Sequence, residues 1–348
     1  MLDMIGVHDI TSTLDPVSRA MGNPMRLSAS KGISHIGSLV NGMGFTLDPR
    51  HAQELISQDA RNAEVLFPYL NGQDLNSRPD CSASRWIIDF RDWSKERAST
   101  YPALYEQVLR LVKPERDLLK RKSYRERWWQ YAENQMSMRA AIAKLERVIV
   151  LTRVSKSVMP AMVSSRQVMS DAVVVFASDD TAMLALLSSS PHYWWAISRA
   201  SSMRTDLRYA PSDLFETLPL PDLTPEMRGA GDRLDRYRRE LMLARQAGLT
   251  KTYNLVHDPR CTDEDIAELR EIHREIDCAV AHTYDWDGLN WDRGFHETRQ
   301  GIRYTIGPTA QREVLDRLLE LNHERYAAEV AAGLHKGKKD DVGGMRLF

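Results

Sequence analysis

The chain has 348 residues, 43% hydrophobic and 27% charged, with a formal net charge of −1, a composition that belongs to a folded protein of two or three units and excludes a disordered or collagen-like chain. No run of about 18 apolar residues occurs, and the opening MLDMIGVHDITSTLDP has no basic flank leading into an apolar stretch, so the sequence predicts neither a membrane span nor a secretory leader. Cys81, Cys261 and Cys278 are odd in number and far apart, which argues against a disulfide framework or a Cys-x-x-Cys metal knuckle and predicts a cytoplasmic location.

Residues 1–46, rich in Gly, Ser and Asn and without helical periodicity, read as an N-terminal segment of short strands and loops. Asp48 offers an N-cap with Pro49 at the first helical position, predicting a helix to about Ser57. RWIIDF (85–90) reads as a strand, and Ser94 caps a helical region that breaks near Pro102 and continues to about Lys122. RVIVLTR (147–153) and DAVVVFA (171–177) are short β-branched runs of the kind found in buried strands. Helices and strands mix without regular βαβ alternation, which predicts an α+β domain over 47–222.

The centre of the chain, from Leu186 to Pro221, sets His192, Trp194, Trp195, Arg199, Arg204 and Arg208 on what reads as a loop-rich surface ending in Pro-x-Pro. Guanidinium groups, hydroxyls and aromatic rings in such a setting are the equipment of a nucleic-acid reader. After Pro221 the texture turns helical. Thr224 caps a helix ending near Gly248; a second, from Thr262 or Asp263, places Ile266, Leu269, Ile272, Ile276 and Val280 on one face; a third runs from about Ala310 to Ala332 with Val314, Leu318, Leu321 and Tyr326. The sequence thus predicts an all-helical C-terminal appendage over 223–332 and a flexible tail over 333–348.

Charge is unevenly distributed. Between Arg85 and Lys156 there are seventeen Lys and Arg against nine Asp and Glu, including Lys120, Arg121, Lys122, Arg125 and Arg127. From Asp258 to Val330 acidic residues outnumber basic ones roughly two to one. The split marks one portion that faces a polyanion and another that faces something else, although each run also reads as a solvated helix face.

Catalytic patterns are missing. An amino-methyltransferase holds its flipped base with an Asn/Asp/Ser-Pro-Pro-aromatic loop, and here Asn23-Pro24 is followed by Met25. Gly42-Met43-Gly44 is a lone Gly-x-Gly that reads as a turn, and no lysine has an acidic residue two positions before it, as common metal-dependent nucleases require. His273 and His323 lack the second histidine of His-Glu-x-x-His, so no metal site is expected. The nucleophile elbow and the phosphate-binding Gly-rich Lys-Ser/Thr loop are likewise not found.

A set of ordered segments carries more information than any of these. LFPYLNG (66–72) with Asp74-Leu75-Asn76, RWIIDF (85–90), VKPER (112–116), Trp128-Trp129, LRY (207–209) through FETLPLP (215–221), TKTYNL (250–255) and Tyr284-Asp285-Trp286 follow one another in this chain. In that order the set resembles the C-terminal half of the large DNA adenine methyltransferases of type IIL, MmeI-like restriction-modification and related phage-defence systems. The resemblance implies a target-recognition domain followed by a helical portion. It also implies that the S-adenosylmethionine pocket and the Asn-Pro-Pro-aromatic loop lie upstream, in a catalytic domain or subunit that this sequence does not include, so no cofactor is expected in this chain.

On that resemblance the expected partners are double-stranded DNA and a methyltransferase domain or subunit. Lys113, Arg116, Lys120, Arg121, Lys122, Arg125 and Arg127 are the expected phosphate contacts, and Arg153, Lys156, Arg166, His192, Arg199, Arg204 and Arg208 the expected base readers. Rival structural roles stay open for several: Arg208 is in reach of Asp206 or Asp213, at least one of Trp194 and Trp195 belongs to the core, and Trp128-Trp129 reads as either an aromatic-basic patch or a hydrophobic anchor. The alternatives are a protein-interaction subunit of such a system, docking through its acidic helices and lacking duplex affinity, and a part of an intact DNA methyltransferase.

Overall fold

The computed structural model describes residues 22–203, 206–298 and 300–335. Its first part contains β1 (Ser34–Ile36), β2 (Thr46–Leu47), α1 (Pro49–Gln58), β3 (Leu66–Leu70), α2 (Gly72–Ser77), β4 (Arg85–Ile88), α3 (Lys95–Ala98), α4 (Pro102–Leu111), α5 (Lys113–Asp117), α6 (Lys122–Glu126) and α7 (Met136–Ile142). The middle contributes β5 (Arg147–Thr152), β6 (Val154–Ser155), β7 (Ala161–Ser164), β8 (Val168–Met169), β9 (Val173–Phe176), α8 (Thr181–Ser188), α9 (Ser190–Arg199), β10 (Ser201–Met203), β11 (Asp206–Arg208) and α10 (Pro211–Leu214). The last part holds α11 (Pro225–Arg245), α12 (Leu249–Val256), α13 (Glu264–Thr283), β12 (Gly294–Thr298), β13 (Gly301–Thr305) and α14 (Pro308–Ala331).

Two hydrophobic cores organise these elements. The smaller lies under the sheet β2-β4-β3-β8, where Phe45, Leu66, Ile87 and Ile88 meet Leu104, Val108 and Val112 of the following helices. Asp48 accepts from the Arg50 N–H to cap α1, and Ser94 accepts from the Arg97 N–H to cap α3, as the sequence predicts. The predicted helical region from Ser94 to Lys122 arrives in pieces because Pro102 and Pro114 each open a new helix, their rings fitting the first turn but not an interior one. Gly42-Met43-Gly44 is indeed a turn: a Cβ on Gly44 would collide with Leu111 of α4.

The larger core is built on the antiparallel sheet β1-β9-β5-β7. Both predicted β-branched runs sit in it as β5 and β9, with Val148–Leu151 and Val173–Phe176 buried. The segment from Asn23 joins it through β1, and the Leu27 N–H donates to Glu216 O at 2.7 Å. On top lie α8, α11 and α13, and the face predicted for α13 (Ile266, Leu269, Ile272, Ile276, Val280) is wholly buried. Gly231 lets α11 touch α8, because a Cβ there would collide with the Thr181 carbonyl oxygen. Gly231→Ala is expected to destabilise the fold by about 1–3 kcal/mol in a denaturant melt, as overpacked helix contacts do.

The region after Pro221 is helical but not purely so. Strands β12 and β13 form a hairpin between α13 and α14, and α12 is a separate short helix after the left-handed Gln246. Gly294 and Gly301 punctuate the hairpin, whose exposed alternation of aromatic and charged residues carries no helical period. Among the described residues no helix is long and apolar enough to cross a membrane.

Candidate nucleic-acid interface

Strand β5 ends in a bend at Arg153, and the chain re-enters a second, small sheet in the order β10-β11-β6. The Arg153 N–H donates to Ala172 O and its carbonyl accepts from the Tyr209 N–H, both at 2.8 Å, so the small sheet is tied to the large core at its base. Opposite one another on the ladder stand Arg208 and Val154. Cross-strand pairing puts these two side chains on the same face, and both are exposed. Lys156 follows β6 directly, is exposed, and has no hydrogen-bond or ion-pair partner among the described residues, as is also true of the Arg208 side chain. Asp213, a rival partner for Arg208, bonds Arg26 instead at 2.8 Å. Arg153 is half-buried; its Nη1 donates to Asp171 O at 3.2 Å while its Nε has no partner.

The structure therefore gathers Arg153, Lys156 and Arg208 and sets Arg166 apart from them. Arg166 is exposed in the turn after β7, which pairs with the Arg147 end of β5. Six residues of strand put it about 20 Å from Arg153. There it lines a cleft of about 660 Å³ with Arg147, Arg238 and Arg239. Arg199 lies with its guanidinium 4.7 Å from the Trp195 ring centroid and its Nε unpartnered. Arg204 falls outside the described residues.

His192 is a correction. Its ring is fully buried, with Nδ1 2.7 Å from Leu187 O and Nε2 2.8 Å from the Tyr209 hydroxyl, an arrangement in which Nδ1 donates and the tyrosine donates to Nε2. The stretch read as loop-rich surface opens in fact on the end of α8 and all of α9, with β10, β11 and α10 after them, and α8 is apolar on nearly every side. Trp195 is fully buried, its Nε1 donating to Leu214 O and Thr217 Oγ1, while Trp194 is half-buried against Thr305. Burial holds the His192 imidazole down at about 4, and His257 and His273, buried beside Arg303 and Arg270 or Arg238 and Arg293, down at about 3. Unfolded histidine titrates near 6.5, so the unfolded chain takes up these protons first. Stability from this source is complete above pH about 6.5 and declines from there toward pH about 3. The melting midpoint should already fall between pH 6.5 and 5; a flat profile over that range would contradict the burial of these rings.

The basic stretch divides in the same way. Arg116 is a second correction: it is 1% exposed and its Nη2 donates to Val40 O and Gln130 O, so it buttresses the smaller core. Arg125 is turned back onto Leu119 O and Lys120 O and closes the turn before α6. Lys113 pairs with Asp117, Lys122 with Glu126, and Arg121 with Glu133 and the Tyr124 hydroxyl. These pairs are exposed, contribute at most about 1 kcal/mol each and are readily exchanged for phosphate. Lys120 and Arg127 are exposed with side chains that have no partner among the described residues. Trp128 and Trp129 are anchors of the core, not an open patch: both are buried, and the Trp129 Nε1 donates to Trp93 O.

Two exposed apolar residues escaped the sequence reading. Val154 directly follows the β-branched run 147–153 that reads as a buried strand, and Leu118, 87% exposed beside Lys120, sits in a Leu-Leu pair that defaults to core. Among the described residues no cluster of His, Cys, Asp and Glu is arranged to hold a metal, and Cys81, Cys261 and Cys278 are all free thiols.

Residues 27–222 match the family model of the MmeI target recognition domain. This chain belongs to that family. The MmeI target-recognition match takes in all fourteen expected contact residues, from Lys113 to Arg208, and ends at Asp222, just after the Pro219-x-Pro221 stop. Among solved structures, the type IIL restriction-modification enzyme MmeI in complex with DNA shares the fold with a TM-score of 0.61 at 14% identity, over 93% of this chain. The likeness extends past the MmeI recognition domain into the C-terminal helices, yet this chain spans only 39% of that enzyme. Comparison with curated proteins gives no match.

Proposed function

We propose that this chain is a sequence-recognition module for double-stranded DNA that serves an adenine methyltransferase of the type IIL kind, with S-adenosylmethionine and the catalytic loop held by a separate domain or subunit. One observation carries the reading: within a target-recognition fold, Arg208 and Val154 pair across one small ladder with Lys156 directly after it, and neither cation has a partner among the described residues. A two-stranded ribbon fits the major groove, where an arginine forks onto guanine O6 and N7 and an apolar side chain meets a thymine methyl. Holding the duplex there helps the enzyme extrude its target adenine, a step that costs a few kcal/mol. MmeI itself was solved with DNA, which supports the same class of ligand here.

Lys120 and Arg127, with Lys113, Arg121 and Lys122 once their surface carboxylates are displaced, are the proposed phosphate contacts. Each phosphate neutralised changes the slope of log K against log salt by about 0.9. A Lys120→Ala, Arg127→Ala double variant should therefore lose about 1.8 from that slope in gel-shift titrations, with its base preference unchanged. An unaltered slope would remove these two residues from the interface.

A further inference from the structure

A second cavity of about 60 Å³ lies where the recognition domain meets the C-terminal helices. Its wall is formed by Ser157 and Val158 just beyond Lys156, the α8–α9 turn, the end of α12, α13 and strand β13. The polar groups there are mostly donors. Arg303 Nε and Ser188 Oγ are buried and have no hydrogen-bond partner among the described residues. His257 accepts at Nδ1 from the Tyr304 N–H, which leaves the proton of the neutral ring on Nε2. Arg293 is nine-tenths buried and Asp277, the carboxylate of the lining, is already used: it pairs with Arg293 and accepts from the Ser190 N–H and hydroxyl at the start of α9.

The charge balance is accordingly positive. Arg303 has no carboxylate partner among the described residues, and Arg270, behind His257, spends its guanidinium on the carbonyls of Leu255, Val256, Asp258 and Cys261. Tyr304 and Phe295 rings near Arg270 offset part of the cost, but a ring face does not accept the free Arg303 N–H. Buried donors without acceptors and a surplus of guanidinium charge in a partly enclosed space favour an anion with several acceptor oxygens. A space that holds a few waters matches one tetrahedral ion and is too small for a nucleobase.

We propose that this cavity binds a tetrahedral oxyanion of the phosphate class, held by Arg303, His257, Ser188 and Arg293. The ion is either free phosphate or a backbone phosphate of the duplex, since the wall begins one residue after Lys156. The site does not depend on the DNA-reading proposal.

The test uses the full chain with inorganic phosphate against sodium chloride at matched ionic strength. Phosphate should raise the melting midpoint saturably in the wild type, Arg303→Met should abolish the rise, and crystals grown in phosphate should show a tetrahedral ion against Arg303 Nε. His257→Gln serves as a second variant should the first not fold, and phosphate should lift the His257 imidazole from its value of about 3. A short duplex that displaces bound phosphate in ³¹P NMR identifies the backbone as the source; phosphate retained beside bound or unbound duplex identifies the free ion. An equal phosphate response in wild type and both variants, with water alone between Arg303 and His257 in the crystal, would overturn the proposal.

Discussion

Arg208→Ala is expected to weaken binding to the preferred duplex by roughly 5- to 150-fold, the 1–3 kcal/mol of a lost bidentate base contact, while leaving the fold as stable as before. The second half of that expectation comes from the structure. Arg208 is exposed, its ladder neighbour is Val154, and one of the two carboxylates that the sequence offers it, Asp213, is bound to Arg26. The variant should relax discrimination at a single base pair and change the salt slope by no more than about one contact's worth. Arg208→Lys should rescue charge but not selectivity, because an ammonium lacks the planar fork. A uniform loss across all sequences would make Arg208 a phosphate contact, and a loss of melting temperature would make it structural.

Trp195→Ala is expected to cost about 3–5 kcal/mol of folding stability, the range for emptying a buried aromatic site. The ring is fully enclosed by the larger core and its Nε1 is bonded to Leu214 O and Thr217 Oγ1, so the deletion leaves a void and removes a donor that two acceptors share. Trp194→Ala, which removes a half-buried ring and one hydrogen bond to Thr305 Oγ1, should cost distinctly less. Denaturant melts of the two variants compare them directly. Equal small effects, with DNA binding lost in both, would mean that the tryptophans face the duplex instead of the core.

The difference between these two positions shows what a sequence displays and what it hides. Local chemistry was legible: Asp48, Ser94 and Thr224 cap helices through side-chain oxygens, and the runs around Val150 and Val174 could only be buried strands. The ordered segments from LFPYLNG to the Pro-x-Pro stop were legible too, since family membership resides in their order and not in any one side chain. What could not be read was which face of α9 turns inward. His192 and Trp195 carry polar atoms that suit a surface, and their burial depends on Tyr209, Leu214 and Thr217, residues that arrive from further along the chain.

Arg116 failed for the same reason. In a run of cations it looks like its neighbours, and only the carbonyls of Val40 and Gln130, brought in by tertiary packing, give it an interior role. The hairpin β12–β13 was missed because its two short strands mix aromatic, charged and small residues and carry no continuous apolar stripe. Of the expected base readers, those at Arg153, Lys156 and Arg208 converge because β6 and β11 pair, a non-local register that no spacing rule reveals.

The most direct test of the central claim is selection of binding sites from a random duplex library by the purified chain, with affinity for the winners measured from 50 to 200 mM salt. A recognition module should enrich one short motif, bind it with a steep inverse salt dependence, and lose discrimination at one position of that motif, but not all duplex affinity, on Arg208→Ala. Failure to bind any duplex at the lowest salt, or retention of DNA with no sequence enriched, would contradict the account.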